Sequence, residues 1–205
     1  MHAALLASID DALAQWIATH RWTPLNDPMI WLGDIDRLGA IWIALAVVVG
    51  VVRKLGTLKT VGLALLTAIT TFHADSASFG VKDLVDRTRP FEAHPRIHPL
   101  YSVHSSSFPA GHAATAFAGA TLLAYLAPRA SPLFLTLAAA IGYSRVYVGV
   151  HYPGDVIAGA AIGVLIAIAV IASLRLSQAT GVREKVRQAL GRGGKPRSQR
   201  FPEWS

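Results

Sequence analysis

Five apolar stretches, at about 38–52, 58–72, 113–127, 133–148 and 156–174, limit what this chain can become. A helix needs about 20 residues to cross the hydrocarbon of a bilayer, and these runs approach that length. In hydrocarbon the backbone must satisfy its own N–H and C=O groups, which an α-helix does within itself. Of the 205 residues 53% are hydrophobic and 15% charged, a balance too apolar for an ordinary soluble domain. The expectation is an all-α integral membrane helical bundle with about five transmembrane helices, occupying residues 1–177, followed by a basic tail over 178–205. The first run is short, but Arg37 and Arg53 can reach outward from its ends and local thinning absorbs the rest. No internal repeat and no second domain stands out.

Residues 1–20 read differently. Leu5, Leu6, Ile9, Leu13, Trp16 and Ile17 recur mostly at three- and four-residue steps, with Asp11 and Gln15 opposite. This predicts an amphipathic helix lying in the membrane interface; a helix packed on the protein's own surface has the same pattern. Asp10 and Asp11 interrupt the stretch, so a cleaved leader is not expected there. Pro24, Asn26, Asp27 and Pro28 predict a turn before the first span. The chain has no cysteine, which removes thiol and disulfide chemistry.

Sidedness follows from counting crossings. A helix from Lys59 to Lys82 rises about 35 Å, so the two lysines reach opposite interfaces. The following runs then return His112, Arg145, His151 and Asp155 to the interface of Lys82. The other face collects Arg53, Lys54, Lys59, Arg129, Arg175, Arg183, Lys185, Arg187, Arg192, Lys195, Arg197 and Arg200, twelve of nineteen Lys and Arg. By the positive-inside tendency that face is cytoplasmic, and the shared site looks toward the periplasm or exterior. The tail's Gly, Arg and Lys also fit a nucleic-acid patch. Contact with anionic lipid headgroups is the plainer reading, so no nucleic-acid partner is expected.

Charged groups at a bilayer are costly and ask for a function. Three motifs supply them. The first is Lys82, Asp83, Asp86, Arg87, Arg89 and Pro90, where the proline biases Arg89 away from helix and predicts a helix end. Alone it equally suits interfacial anchoring. The second is Phe108, Pro109, Ala110, Gly111 and His112 opening an apolar helix, with Ser107 as its expected cap and Pro109 in its first turn. Gly111 allows close approach to the backbone, and the helix N-terminus favours an anion. Alone, His112 is also an ordinary polar residue at a helix end. The third is Ser144 and Arg145, then His151, Tyr152, Pro153, Gly154 and Asp155. An Asp close to an imidazole can fix its tautomer and leave the other nitrogen free to attack. Convergence of all three motifs on one interface argues against chance loop polars.

In order, the motifs read Lys-x6-Arg-Pro, Pro-x-Gly-His and Ser-Arg-x5-His-x3-Asp, within residues 82–155, about a third of the chain. This closely resembles the type 2 phosphatidic acid phosphatase family, in the superfamily that includes the vanadium haloperoxidases. One position departs: Ala110 stands where family members usually have Ser. The resemblance implies that His151 is the nucleophile and forms a phosphohistidine, that Asp155 orients it, and that His112 protonates the leaving oxygen and then activates water. It implies that Lys82, Arg89 and Arg145 surround the phosphoryl oxygens, with the backbone at Ala110 and Gly111 beside them. Ala110 lacks a hydroxyl that would donate to phosphate, a bond of about 1.5–3 kcal/mol to a charged acceptor, so reduced or retuned activity is expected.

Two histidines and a carboxylate can hold a transition metal, but three surrounding cations would repel one and attract phosphate. The expectation is metal-independent catalysis with no cofactor. A vanadium-dependent oxidase, a transporter and a catalytically silent lipid-binding relative are the competing classes. The oxidases of that type are typically soluble. A transporter would need polar groups deeper in several spans, and only His73, Asp75, Ser76 and Ser78 meet that description. The expected partners are the bilayer and a lipid phosphate; phosphatidic acid, phosphatidylglycerol phosphate and polyprenyl phosphates or diphosphates all fit. Oligomeric state and the roles of His94, His98 and His104 are not legible.

Overall fold

The computed structural model describes residues 2–191, with side chains described for 5–180. Every regular element among the described residues is a helix. In order it forms α1 (His2–Thr19), a 3-10 turn (Thr23–Leu25), α2 (Asn26–Ile35), a second 3-10 turn (Arg37–Gly39), α3 (Ala40–Val52), α4 (Thr57–Val85), the single turn α5 (Pro90–Ala93), α6 (Gly111–Leu126), a third 3-10 turn (Pro128–Ala130), α7 (Ser131–Tyr147) and α8 (Pro153–Gly191). It divides into two compact units, Met1–Val170 and Ile171–Ser205. The second unit, where described, is the C-terminal part of α8; residues 192–205 of the expected tail lie outside the described residues.

The five apolar runs fall on α3, α4, α6, α7 and α8. Among the described helices, Pro153–Thr180 alone is long and apolar enough by itself to cross a membrane, and the pair Thr23–Ile35 and Arg37–Val52, bent by 53°, passes the same test together. α6 and α7 have 16 and 17 residues, and α4 is interrupted by charges.

α6 is the hub, packed against α7, α4 and α3. It is built of small residues, which let neighbouring helices approach closely. Ala113, Ala114, Ala116, Ala118 and Ala120 are buried, and Trp42 of α3 lies so close over Gly119 that a Cβ there would meet its ring at 2.3 Å. On another side Gly159 and Gly163 of α8 bring its backbone against the Ala110 and Ala114 carbonyls. Buried threonines of α4 find partners within the helix: Thr67 and Thr70 donate to the carbonyls of Leu63 and Leu66 at 2.9 and 2.7 Å.

Several local expectations need correction. The segment of Pro24, Asn26, Asp27 and Pro28 is not only a turn: Pro24 opens the first 3-10 turn, and Pro28 sits in the first turn of α2, where a missing N–H costs nothing. The first apolar run becomes helix only from Ala40, because Leu38 and Gly39 are left-handed (φ 56° and 74°) and bend the chain. Buried Asp36 pins that bend, accepting from Trp42 Nε1 and Thr115 Oγ1 at 2.7 Å each. α4 stops at Val85, before the predicted end at Arg89, since Asp86 is left-handed (φ 42°). α6 begins at Gly111, beyond Pro109, and its N-cap is Ala110 with no side-chain cap; Ser107 is engaged elsewhere.

Candidate active site

The three motifs meet at one end of the first unit. His151 lies in the short connection between α7 and α8, and Asp155 in the first turn of α8, so the i, i+4 spacing sets imidazole against carboxylate. His151 Nδ1 is 3.5 Å from Asp155 Oδ2, ion-pair range but longer than a formed hydrogen bond. His151 is 5% exposed and Asp155 fully buried. Burial pushes the His151 pKa down to about 4, against the opposing pull of Asp155. The ring is therefore neutral at pH 7, the form a nucleophile needs.

Asp155 is held from several directions. Oδ2 accepts from Ser107 Oγ and from the Tyr152 N–H at 2.9 Å, and Oδ1 accepts from Arg87 Nη1 at 2.7 Å. Ser107, read from sequence as a helix cap, is thus a carboxylate donor. Arg87 was visible in the first motif but had no assigned role.

Arg89 is 2% exposed and staples the loop between α5 and α6 to the His151 loop. Its Nη1 donates to the Val150 carbonyl at 2.7 Å, Nε to the Ser105 carbonyl at 2.6 Å, and Nη2 to Ser105 Oγ at 3.0 Å and the Ser106 carbonyl at 3.3 Å. Lys82 donates to the same Ser106 carbonyl at 2.8 Å. Arg145 Nη1 donates to Tyr101 Oη at 2.7 Å and Nη2 to the Met29 carbonyl at 3.0 Å, with Ser144 Oγ taking Nε and Nη2. Arginine has five N–H donors, so each guanidinium retains an uncommitted Nη1 hydrogen. Burial pushes the Arg89 pKa down, although Tyr101, Asp155 and Glu92 oppose it.

His112 opens into a cavity of about 420 Å³ that it shares with Arg145, Tyr101, Gly33, Asp34, Arg37 and Ile30. His151, Lys82 and Arg89 lie near enough to act on His112 electrostatically, so all six motif residues converge. Ala110 is fully buried and spends its N–H on the Asp155 carbonyl at 3.0 Å, which withdraws one of the backbone donors expected for phosphate. Gly111 faces α4, where a Cβ would stand 3.2 Å from Asp75 Oδ1 and 3.4 Å from Ser78 Oγ. Ser78 Oγ is buried without a hydrogen-bond partner among the described residues. A roomier groove of about 600 Å³ between α3 and α4 is apolar apart from Lys54 and two threonines, and holds none of the motif residues.

Sequence reasoning missed the contribution of the N-terminal residues. Gly33 of α2 lies beneath the Arg145 guanidinium, Asp36 fixes the bend beside it, and Asp10 of α1 bonds Arg87 at 2.8 Å. No local pattern marks such long-range partners.

The chain is similar to known proteins. Residues 58–178 match the PAP2 superfamily. Over 174 residues the chain is 31% identical to undecaprenyl-diphosphatase of Sulfolobus acidocaldarius, covering 81% of this chain and 77% of that one. Over 88 residues it is 41% identical to lipid A 1-phosphatase of Rhizobium johnstonii, covering 40% of this chain and only 36% of the relative's length. The crystal structure of a transmembrane PAP2-type phosphatidylglycerolphosphate phosphatase from Bacillus subtilis has the same fold, with a TM-score of 0.65 at 24% identity, covering 89% of this chain and 88% of that one.

Proposed function

The chain belongs to the PAP2 superfamily, and on that premise we propose that it hydrolyses the phosphomonoester or diphosphate of a membrane lipid through His151. The observation that carries this is a buried, neutral imidazole 3.5 Å from a multiply held carboxylate, beside a cavity that contains His112 and Arg145. His151 Nε2 attacks phosphorus while Asp155 receives the Nδ1–H. The P–O bond to the lipid breaks, and His112 gives its proton to the leaving oxygen. His112 then takes a proton from water, whose oxygen displaces His151 and releases phosphate. Arg145, Arg89 and Lys82 offset the growing charge on the phosphoryl oxygens without a metal. The names of the relatives, lipid A 1-phosphatase and undecaprenyl-diphosphatase, support a lipid phosphate or diphosphate as substrate.

The protein has the all-helical fold of membrane phosphatases. We read α3, α4, α6, α7 and α8 as five spans. Support comes from large apolar side chains exposed along α3, α4, α7 and α8, among them Val48, Val52, Leu58, Leu65, Ile69, Leu133, Ile157 and Leu165, with the apolar α6 buried among its neighbours. α1 exposes Leu5, Leu6, Ile9, Leu13 and Trp16 and buries Ala14 and Ala18, the orientation of an interfacial helix. The site faces outward and the C-terminus lies in the cytoplasm, because Arg53, Lys54, Lys59 and Arg129 sit at the ends of α3, α4 and α6 away from the motifs, and the tail is basic in sequence.

Phosphate release from a panel of lipid phosphates by the purified protein tests the activity. It should persist in EDTA and be blocked by vanadate; no release from any substrate, or loss in EDTA, refutes the reading. For orientation, Ser102→Cys should label in intact cells and Arg129→Cys should not, and the reverse pattern inverts the topology.

A further inference from the structure

α1 brings a carboxylate to the back of the site. Asp10, 14% exposed, accepts from Arg87 Nη2 at 2.8 Å through Oδ2 and from the Gly154 N–H at 2.7 Å through Oδ1. The second contact requires residue 154 to have no side chain: a Cβ there would stand 2.9 Å from Asp10 Oδ2. The other arm of the same guanidinium, Nη1, donates to Asp155 Oδ1 at 2.7 Å. Tyr152 closes the remaining face, its ring centroid 3.8 Å from Arg87 Cζ. Arg87 is therefore a rigid strut between two carboxylates.

The strut bears on the nucleophile. A carboxylate can turn about its Cβ–Cγ bond, and its Oδ1 must be fixed if Oδ2 is to face His151 Nδ1 steadily. Ser107 and Tyr152 hold Oδ2 only, while Arg87 holds Oδ1. Arg87 is more than a quarter exposed and so is free to swing unless its second nitrogen is anchored. Asp10 is that anchor. His151 Nδ1 has no hydrogen-bond partner among the described residues, so its alignment when phosphorus is attacked depends on where Asp155 is aimed.

We propose that Asp10 is a positioning residue for the nucleophile, acting through Arg87 on Asp155, so that α1 is a working part of the active site as well as an interfacial helix. The proposal rests on His151 being the nucleophile. Asp11 is the internal control. It has the same charge on the same helix but pairs instead with His94 Nε2, at 3.5 Å, tying α1 to the loop after α5.

The experiment compares Asp10→Asn, Asp10→Glu and Asp11→Asn in the full chain, hydrolysing a short-chain lipid phosphate in detergent. Asp10→Asn should lower kcat about tenfold with KM nearly unchanged, Asp10→Glu should restore part of it, and Asp11→Asn should match wild type. Asp10→Asn and Arg87→Lys should be non-additive, because each breaks the same strut. Equal losses in the Asp10 and Asp11 variants, a change confined to KM, or full additivity with Arg87→Lys would overturn the proposal. A ¹⁵N spectrum of histidine-labelled protein reads the same coupling without turnover: the His151 Nδ1 resonance should move in Asp10→Asn and stay in Asp11→Asn. An unmoved resonance overturns the proposal, whereas an inactive wild type counts against the hydrolase reading instead.

Discussion

Gly33→Ala is the sharpest test of how the site is assembled, because Gly33 lies outside the matched family segment and outside every sequence motif. A Cβ on Gly33 would fall 2.0 Å from Arg145 Nη1, 2.1 Å from Cζ and 2.1 Å from Nη2. No real Cβ contact is that short, so the guanidinium must leave. It then gives up its bonds to Tyr101 Oη and the Met29 carbonyl, and with them its aim at the His112 cavity. Losing one preorganised donor to a transition-state oxyanion costs about 2.7–4 kcal/mol. Arg145 is displaced and not deleted, and Lys82 and Arg89 remain, so the low end applies: kcat/KM should fall about a hundredfold. Stability should fall as well, by about 1.5–3 kcal/mol for each charged hydrogen bond not recovered. The assay is kcat/KM for a lipid phosphate together with vanadate affinity and thermal unfolding in the same detergent. Adding Arg145→Lys to Gly33→Ala should cost little more, since the first change already removes the guanidinium. A folded Gly33→Ala protein with wild-type kcat/KM and vanadate affinity would refute the reasoning.

Three further outcomes follow from the geometry. Gly154→Ala should reproduce the kcat loss of Asp10→Asn, since its Cβ meets Asp10 Oδ2 at 2.9 Å; wild-type kcat would mean that α1 is not coupled to the nucleophile. Ala110→Ser should stabilise the protein by about 1 kcal/mol, because Ala110 already has extended N-cap geometry (φ −76°, ψ 107°) and no side chain to cap α6, and it should raise turnover; a fall in both defeats the missing-donor argument. His151 has a folded pKa of about 4 against an ordinary 6.5, so the folded state binds its proton more weakly than the unfolded chain does. Stability that is complete above pH 6.5 should therefore be lost as the pH falls toward 4, by up to about 3 kcal/mol from this group. Acid unfolding compared with His151→Gln checks this, and equal acid sensitivity in the two proteins would refute it.

The sequence by itself determined the helices and the three motifs that the structure brings together. Apolar runs of near-span length admit little but helix, so α3, α4, α6, α7 and α8 were legible as elements, and their parity already put Lys82, His112, Arg145, His151 and Asp155 at one end. The i, i+4 spacing of His151 and Asp155 is a local fact that a helix start turns into a pair. Tertiary structure decided what holds these groups still. Ser107 looks like a cap from its neighbours, yet it donates to a carboxylate 48 residues away. Asp10 meets Arg87 across 77 residues and Gly154 across 144, and Gly33 matters only because Arg145 lies against it. Periodicity and capping rules read interactions within a few residues along the chain. The strut behind Asp155 and the glycine floor beneath Arg145 join residues far apart in sequence, and they come into being only when the helices pack.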